Sequence, residues 1–143
     1  MKKCSSSITV ALLLASVGAA HGGSLTVEIG DGIRPGEQVL VALYDQEAQW
    51  LKKSARGVKE AAPADLADDG KHTLLIDGLA AGSYAVAVYV DRNGNGKLDR
   101  GMFGRPTEPY GFSNGGGSFG PPDFADALIE VADAGSAIRI DLN

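Results

Sequence analysis

The strongest chemical signal in this sequence is the run Asp91-Arg92-Asn93-Gly94-Asn95-Gly96-Lys97-Leu98-Asp99. Oxygen-bearing side chains stand at Asp91, Asn93, Asn95 and Asp99, which are positions one, three, five and nine of a calcium loop. Gly96 occupies position six, where such a loop turns sharply, and the main-chain carbonyl of Lys97 falls at position seven. Alternate oxygens at this spacing converge on one hard cation, so calcium is the expected cofactor, with a weak affinity of about 10⁻⁴ to 10⁻³ M. Magnesium fits less well because it demands strict octahedral geometry. The departure is at position twelve, where a bidentate glutamate belongs and Met102 stands; Glu108 is the candidate replacement. Asn-Gly pairs also make tight turns without metal, with Asp and Asn side chains bonding nearby backbone amides. Both readings stay open at this stage.

A second group follows in the same segment: Phe103, Arg105, Glu108, Tyr110, Phe112, Ser113, Asn114 and Phe119. Aromatic faces beside charged, hydroxyl and amide groups suit a sugar, a peptide or another ligand with apolar and polar parts. The competing expectation is that the aromatics turn inward and give the loop its own small core. Acid and base chemistry would need Glu108 with an acidic partner, or with Arg105, Tyr110 or Ser113, as in a hydrolase. His21 and His72 are the only histidines, and His72 reads as a solvated residue in a charged turn. Phosphate-cradling and zinc-binding motifs are absent from the sequence.

The elements that must position these residues are short strands. Period-two alternation marks Leu25 to Ile29, Val39 to Tyr44, Leu74 to Ile76, Tyr84 to Val90, Leu128 to Val131 and Ile138 to Leu142, with a further strand from Val58 ended by Pro63. Asp31-Gly32, Pro35-Gly36, Asp69-Gly70, Asp77-Gly78, Ala81-Gly82 and Ala134-Gly135 punctuate them as turns. This predicts an all-β fold, an antiparallel Greek-key-type sandwich. One short helix or helical turn is expected over Gln46 to Arg56, with Trp50 as its anchor. The segment 91–124 holds nine of the twenty glycines and four of the six prolines, so it is expected to be one long, shaped loop.

The N-terminus begins Met1-Lys2-Lys3, continues in an apolar run from Ile8 to Val17 and ends in Gly18-Ala19-Ala20. That order predicts a signal peptide over 1–20 and one mature domain over 21–143, periplasmic or secreted. Cys4 precedes the apolar run, so it does not sit where a lipid-accepting cysteine would, and its removal leaves a fold without disulfides. No apolar run reaches the length of a membrane span. The net charge of −5, with 18 acidic against 13 basic side chains, argues against a nucleic-acid partner. The expected partner is an exported or cell-envelope ligand.

The ordered motifs Leu79-Ala80-Ala81-Gly82-Ser83-Tyr84, Asp91 through Asp99, Phe103-Gly104-Arg105-Pro106-Thr107-Glu108-Pro109-Tyr110-Gly111-Phe112-Ser113-Asn114 and Gly120-Pro121-Pro122-Asp123-Phe124 resemble the bacterial exported family called domain of unknown function 2141. The Leu-x-x-Gly-x-Tyr segment is also similar to prealbumin-like and carboxypeptidase-regulatory-like sandwiches, where it leads into a core strand. The resemblance implies a β-sandwich and export, and it brings no established activity with it. Members commonly carry histidine before the first aspartate of the loop; Val90 stands there in this chain. The functional expectation is a non-enzymatic binding or accessory module. A hydrolase and a purely structural envelope protein are the alternatives.

Overall fold

The computed structural model describes residues 22–116 and 119–143. The expected signal peptide and its cleavage point lie outside the described residues. Eight strands form among the described residues: β1 Gly23–Ile29, β2 Gln38–Tyr44, β3 Arg56–Ala61, β4 His72–Leu79, β5 Gly82–Asp91, β6 Tyr110–Phe112, β7 Leu128–Val131 and β8 Ser136–Ile140. One sheet runs β4-β1-β8 and the other β3-β2-β5-β6, with β7 also paired to β5. No described helix is long and apolar enough to cross a membrane.

Period-two alternation builds the core between these sheets. Leu25, Val27 and Ile29 of β1 and Leu74 and Ile76 of β4 are buried, as are Val39, Val41 and Leu43 of β2 and Val86, Val88 and Val90 of β5. A one-residue slip in any of these strands would turn its apolar row outward, so the pattern excludes odd slips of register as well as setting burial. The fold is all-β, as the sequence predicts, with one difference in pairing: β8 runs parallel to β1, from Leu25↔Ser136 to Ile29↔Ile140. Parallel neighbours need a long intervening crossover, and here the whole second sheet separates them in sequence.

One local expectation is met in its shorter form and two change. The Gln46 to Arg56 segment forms only a 3-10 turn at Glu47–Gln49. Leu51 then takes a left-handed φ of 56°, and Arg56 already pairs with Leu43 in the β2–β3 ladder. The left-handed Leu51 stops the helical turn, and pairing with β2 takes Ala55 and Arg56 at the far end of the segment. Asp77-Gly78 does not end β4 but forms an irregularity inside it, where Gly23↔Leu79 is followed by Leu25↔Ile76. Gly78 carries a φ of 71°, as the glycine of a bulge does. Finally, the 91–124 segment is not one continuous loop, because β6 interrupts it and pairs with β5 from Ala87↔Phe112 to Tyr89↔Tyr110.

β5 therefore carries two partners along one edge, β7 at Gly82 to Ala85 and β6 at Ala87 to Tyr89. The outer face of this sheet is covered as well. Small residues on the strands, Ala42, Ala85 and Ala87, leave room for Tyr44, Trp50, Tyr110, Phe112 and Phe124 to pack there as a second apolar cluster. Trp50 stands edge-on to Tyr44 at 5.0 Å and near Phe112 and Phe124 at 5.9 and 6.0 Å. Its indole N–H donates to the Pro122 carbonyl at 2.9 Å, fastening the 3-10 turn to the returning chain. Ring pairs of this geometry add about 0.5–1.5 kcal/mol each beyond the area they bury.

Candidate functional site: a braced turn beside an aromatic cleft

Asp91 ends β5 on its outer face and is buried, with 2% of its surface exposed. One carboxylate oxygen accepts the N–H groups of Gly94 at 2.7 Å and Asn95 at 3.2 Å, and the other accepts Gly96 N–H at 2.6 Å. Gly94 and Gly96 take φ values of 77° and 76°, which the turn requires and glycine adopts without strain. Burial pushes the Asp91 carboxyl upward, but the N–H donors of Gly96, Gly94 and Asn95, with the charge of Lys59, outweigh it and hold the group below the ordinary carboxylate range.

Glu108, buried at 6% exposure, closes the turn from the opposite side. Its two oxygens accept Arg92 N–H at 2.8 Å and Asp99 N–H at 3.0 Å, so one carboxylate joins both ends of the motif. Around the exposed rim, the Asn95 side-chain amide donates to both oxygens of Asp99 at 2.9 and 3.0 Å, and the Asn93 amide donates to Asp99 as well. The amide oxygens of Asn93 and Asn95 accept the backbone N–H groups of Asn95 and Lys97. Among the described residues, no group of three or more His, Cys, Asp or Glu side chains is placed to hold a metal ion. The tyrosine above the turn, Tyr89, donates to the Gly96 carbonyl at 3.0 Å. Burial, then the charges of Asp91 and Glu108 and the neighbouring Tyr44, raise its pKa, so it stays protonated at neutral pH.

The structure divides the second predicted group. Phe112 and Tyr110 pack inward, the two rings 5.9 Å apart, in the cluster that covers the sheet. Ser113 is fully buried: its Oγ accepts Val86 N–H at 2.9 Å and also bonds the Ala127 carbonyl. Asn114, at a left-handed φ of 61° that asparagine tolerates, donates to the carbonyls of Asp126 and Leu128 at 3.0 and 2.8 Å. Ser113 and Asn114 are thus struts between β6 and the start of β7. Gly111 lies against the chain end, where an added Cβ would stand 2.5 Å from the Asp141 carbonyl oxygen.

Phe103 and Phe119 do the opposite. Phe103 is 95% exposed and Phe119 wholly so, and Phe103 sits at a φ of 62°, unfavourable for a bulky side chain. Both rim a cleft of about 780 Å³ on the outer side of the second sheet, lined also by Tyr89, Tyr110, Arg100 and Arg105. Arg100 is held by a bond of 2.9 Å to the Gly104 carbonyl. Glu108 and Ser113 do not line this cleft. Sequence analysis missed Tyr89, Leu51 and Arg100 as lining residues; for Tyr89 the signal was present, since the alternation that buries Val86, Val88 and Val90 turns it outward. His72 also departs from expectation. It is buried on the core side of β4 in step with Leu74 and Ile76, its Nε2 3.5 Å from Glu60 and without a hydrogen bond among the described residues.

No curated protein and no solved structure matches this chain. The family described as "Uncharacterized protein conserved in bacteria (DUF2141)" matches residues 28–139, a span that contains the braced turn, β6 and the cleft rim. By that match over most of its length, the chain belongs to the DUF2141 family of bacterial proteins.

Proposed function

We propose that this protein is an exported, non-enzymatic binding module that takes its ligand in the cleft rimmed by Phe103 and Phe119. Export rests on the basic, apolar and small-residue order of residues 1–20. One observation carries the binding role: two phenylalanines stand almost wholly in water at the rim of a cleft of about 780 Å³. Large exposed apolar side chains beside a concave surface mark interaction sites. The hydrolase alternative has less support, because both oxygens of Glu108 accept backbone N–H groups and the Ser113 hydroxyl is committed to β5 and Ala127. The test is a small-molecule and peptide screen on mature protein, with binding mapped by backbone amide shifts. Hits should shift residues 98–105 and 119–121; hits that consistently map elsewhere would overturn the reading.

A second reading adds calcium to the turn, favoured by the convergence of the Asn93, Asn95 and Asp99 side chains. To take the ion, both asparagine amides rotate so that their oxygens, with Asp91, Asp99 and the Lys97 carbonyl, face it. Bound calcium at about ten times its Kd would stabilise the fold by about 1.4 kcal/mol. Equal unfolding midpoints in chelator and in millimolar calcium would rule this out.

A further inference from the structure

The charged side chains that line the cleft carry one sign only. The chain as a whole is acidic, with a net charge of −5. Yet among the described lining residues there is no aspartate or glutamate, and the charged side chains are Arg100 and Arg105. Neither forms an ion pair among the described residues. Apart from Asn143 and the glycines Gly104 and Gly120, the rest of the described lining is apolar or aromatic: Leu51, Leu98, Phe103, Pro106, Phe119 and Pro121 are examples. Two cations beside aromatic faces on an otherwise acidic surface attract an anion and repel a cation, and the low-dielectric walls strengthen that preference.

Resting on the binding role above, we propose that the ligand is an amphipathic organic anion, with an apolar body and one carboxylate. The body lies between the rings of Phe103 and Phe119. The carboxylate meets the guanidinium groups of Arg100 and Arg105, whose planar forks suit a carboxylate better than an ammonium would. The bond from Arg100 to the Gly104 carbonyl orders one of these groups beforehand, which lowers the entropy lost on binding. The volume of about 780 Å³ is in the range of sites for drug-sized molecules rather than macromolecules.

Three probes with one body separate the possibilities: 2-naphthylacetate, its neutral amide and 2-(2-naphthyl)ethylammonium, titrated by calorimetry and by amide shifts into the full mature chain. The acid should bind at least about tenfold tighter than the amide, the effect of one charge-assisted hydrogen bond, and the ammonium should bind weakest. Arg100→Gln with Arg105→Gln should bring the acid down to about the affinity of the amide, whose own affinity should fall much less. Phe103→Ala with Phe119→Ala should weaken both. Equal binding of acid and amide in the cleft would overturn the ligand class and leave the binding face intact. Absence of cleft shifts with all three probes would overturn both. Self-association of the wild-type chain that disappears in the double alanine variant would assign the face to a second copy and also overturn the inference.

Discussion

Two parts of the 91–124 segment differ in how they use their side chains. In the turn from Asp91 to Asp99, closed by Glu108, carboxylate and amide groups are spent on hydrogen bonds, most of them to backbone N–H groups nearby. In the rim formed by Phe103 and Phe119, large apolar side chains meet almost nothing of the protein. A buried carboxylate with several N–H donors resists distortion, because moving it strands polar groups away from water. An exposed phenylalanine has no such constraint, and its surface remains to be covered. The comparison teaches that stability and recognition are separated within one segment, so substitutions in the two parts should separate as well.

The largest effect belongs to the brace. Glu108→Ala leaves the part-buried N–H groups of Arg92 and Asp99 without their acceptor and should lower stability by about 2–4 kcal/mol in urea unfolding. A loss under about 0.5 kcal/mol would break the distinction between brace and rim. Gly111→Ala, which forces a Cβ toward the Asp141 carbonyl and Ile140, should cost about 1–3 kcal/mol without altering ligand affinity.

The acid limb of the stability curve sharpens the same contrast. Because the folded-state pKa of Asp91 is depressed, its contribution is complete above the unfolded carboxylate value and is lost as pH falls through the lower folded value. Wild type should therefore exceed Asp91→Asn in stability at neutral pH, and the gap should close only below the ordinary carboxylate range of about pH 4. A gap independent of pH down to the acid transition would show that the charge of Asp91 is not what the turn uses.

The smallest effect on stability, and the most discriminating, is at the rim. Phe103→Gly relieves a left-handed φ and removes no buried surface, so it should stabilise the fold by about 0.5–1 kcal/mol. Affinity for cleft ligands should fall in the same variant. If binding survives unchanged, the exposed ring is not part of the site.

Much of this was legible in the sequence because it depends on local periodicity. The alternation at Leu25, Val27 and Ile29 and at Val86, Val88 and Val90 assigned strands, faces and core together. The glycines at 94 and 96 marked a turn whose carboxylate comes from Asp91, whereas Glu108 was singled out only as a candidate cation ligand and not as an acceptor of backbone N–H groups. The distinction between inward Phe112 and outward Phe103 was not legible, since both are phenylalanines flanked by glycine in one Gly- and Pro-rich run. Their fates depend on β6 finding the free edge of β5, a contact between residues far apart in the chain.

The sequence by itself determined the all-β class, the buried face of the long strands and the place of the tight turn, because spacing two residues apart and the backbone freedom of glycine act locally. Only the tertiary structure decided that Glu108 closes the turn rather than facing a ligand, that Ser113 is buried, that His72 belongs to the core side, and that Arg100 and Arg105 share a cleft whose described lining has no Asp or Glu side chain. Those outcomes follow from which edge pairs with which and what then covers the sheet, and no local pattern encodes the burial that such long-range pairing imposes.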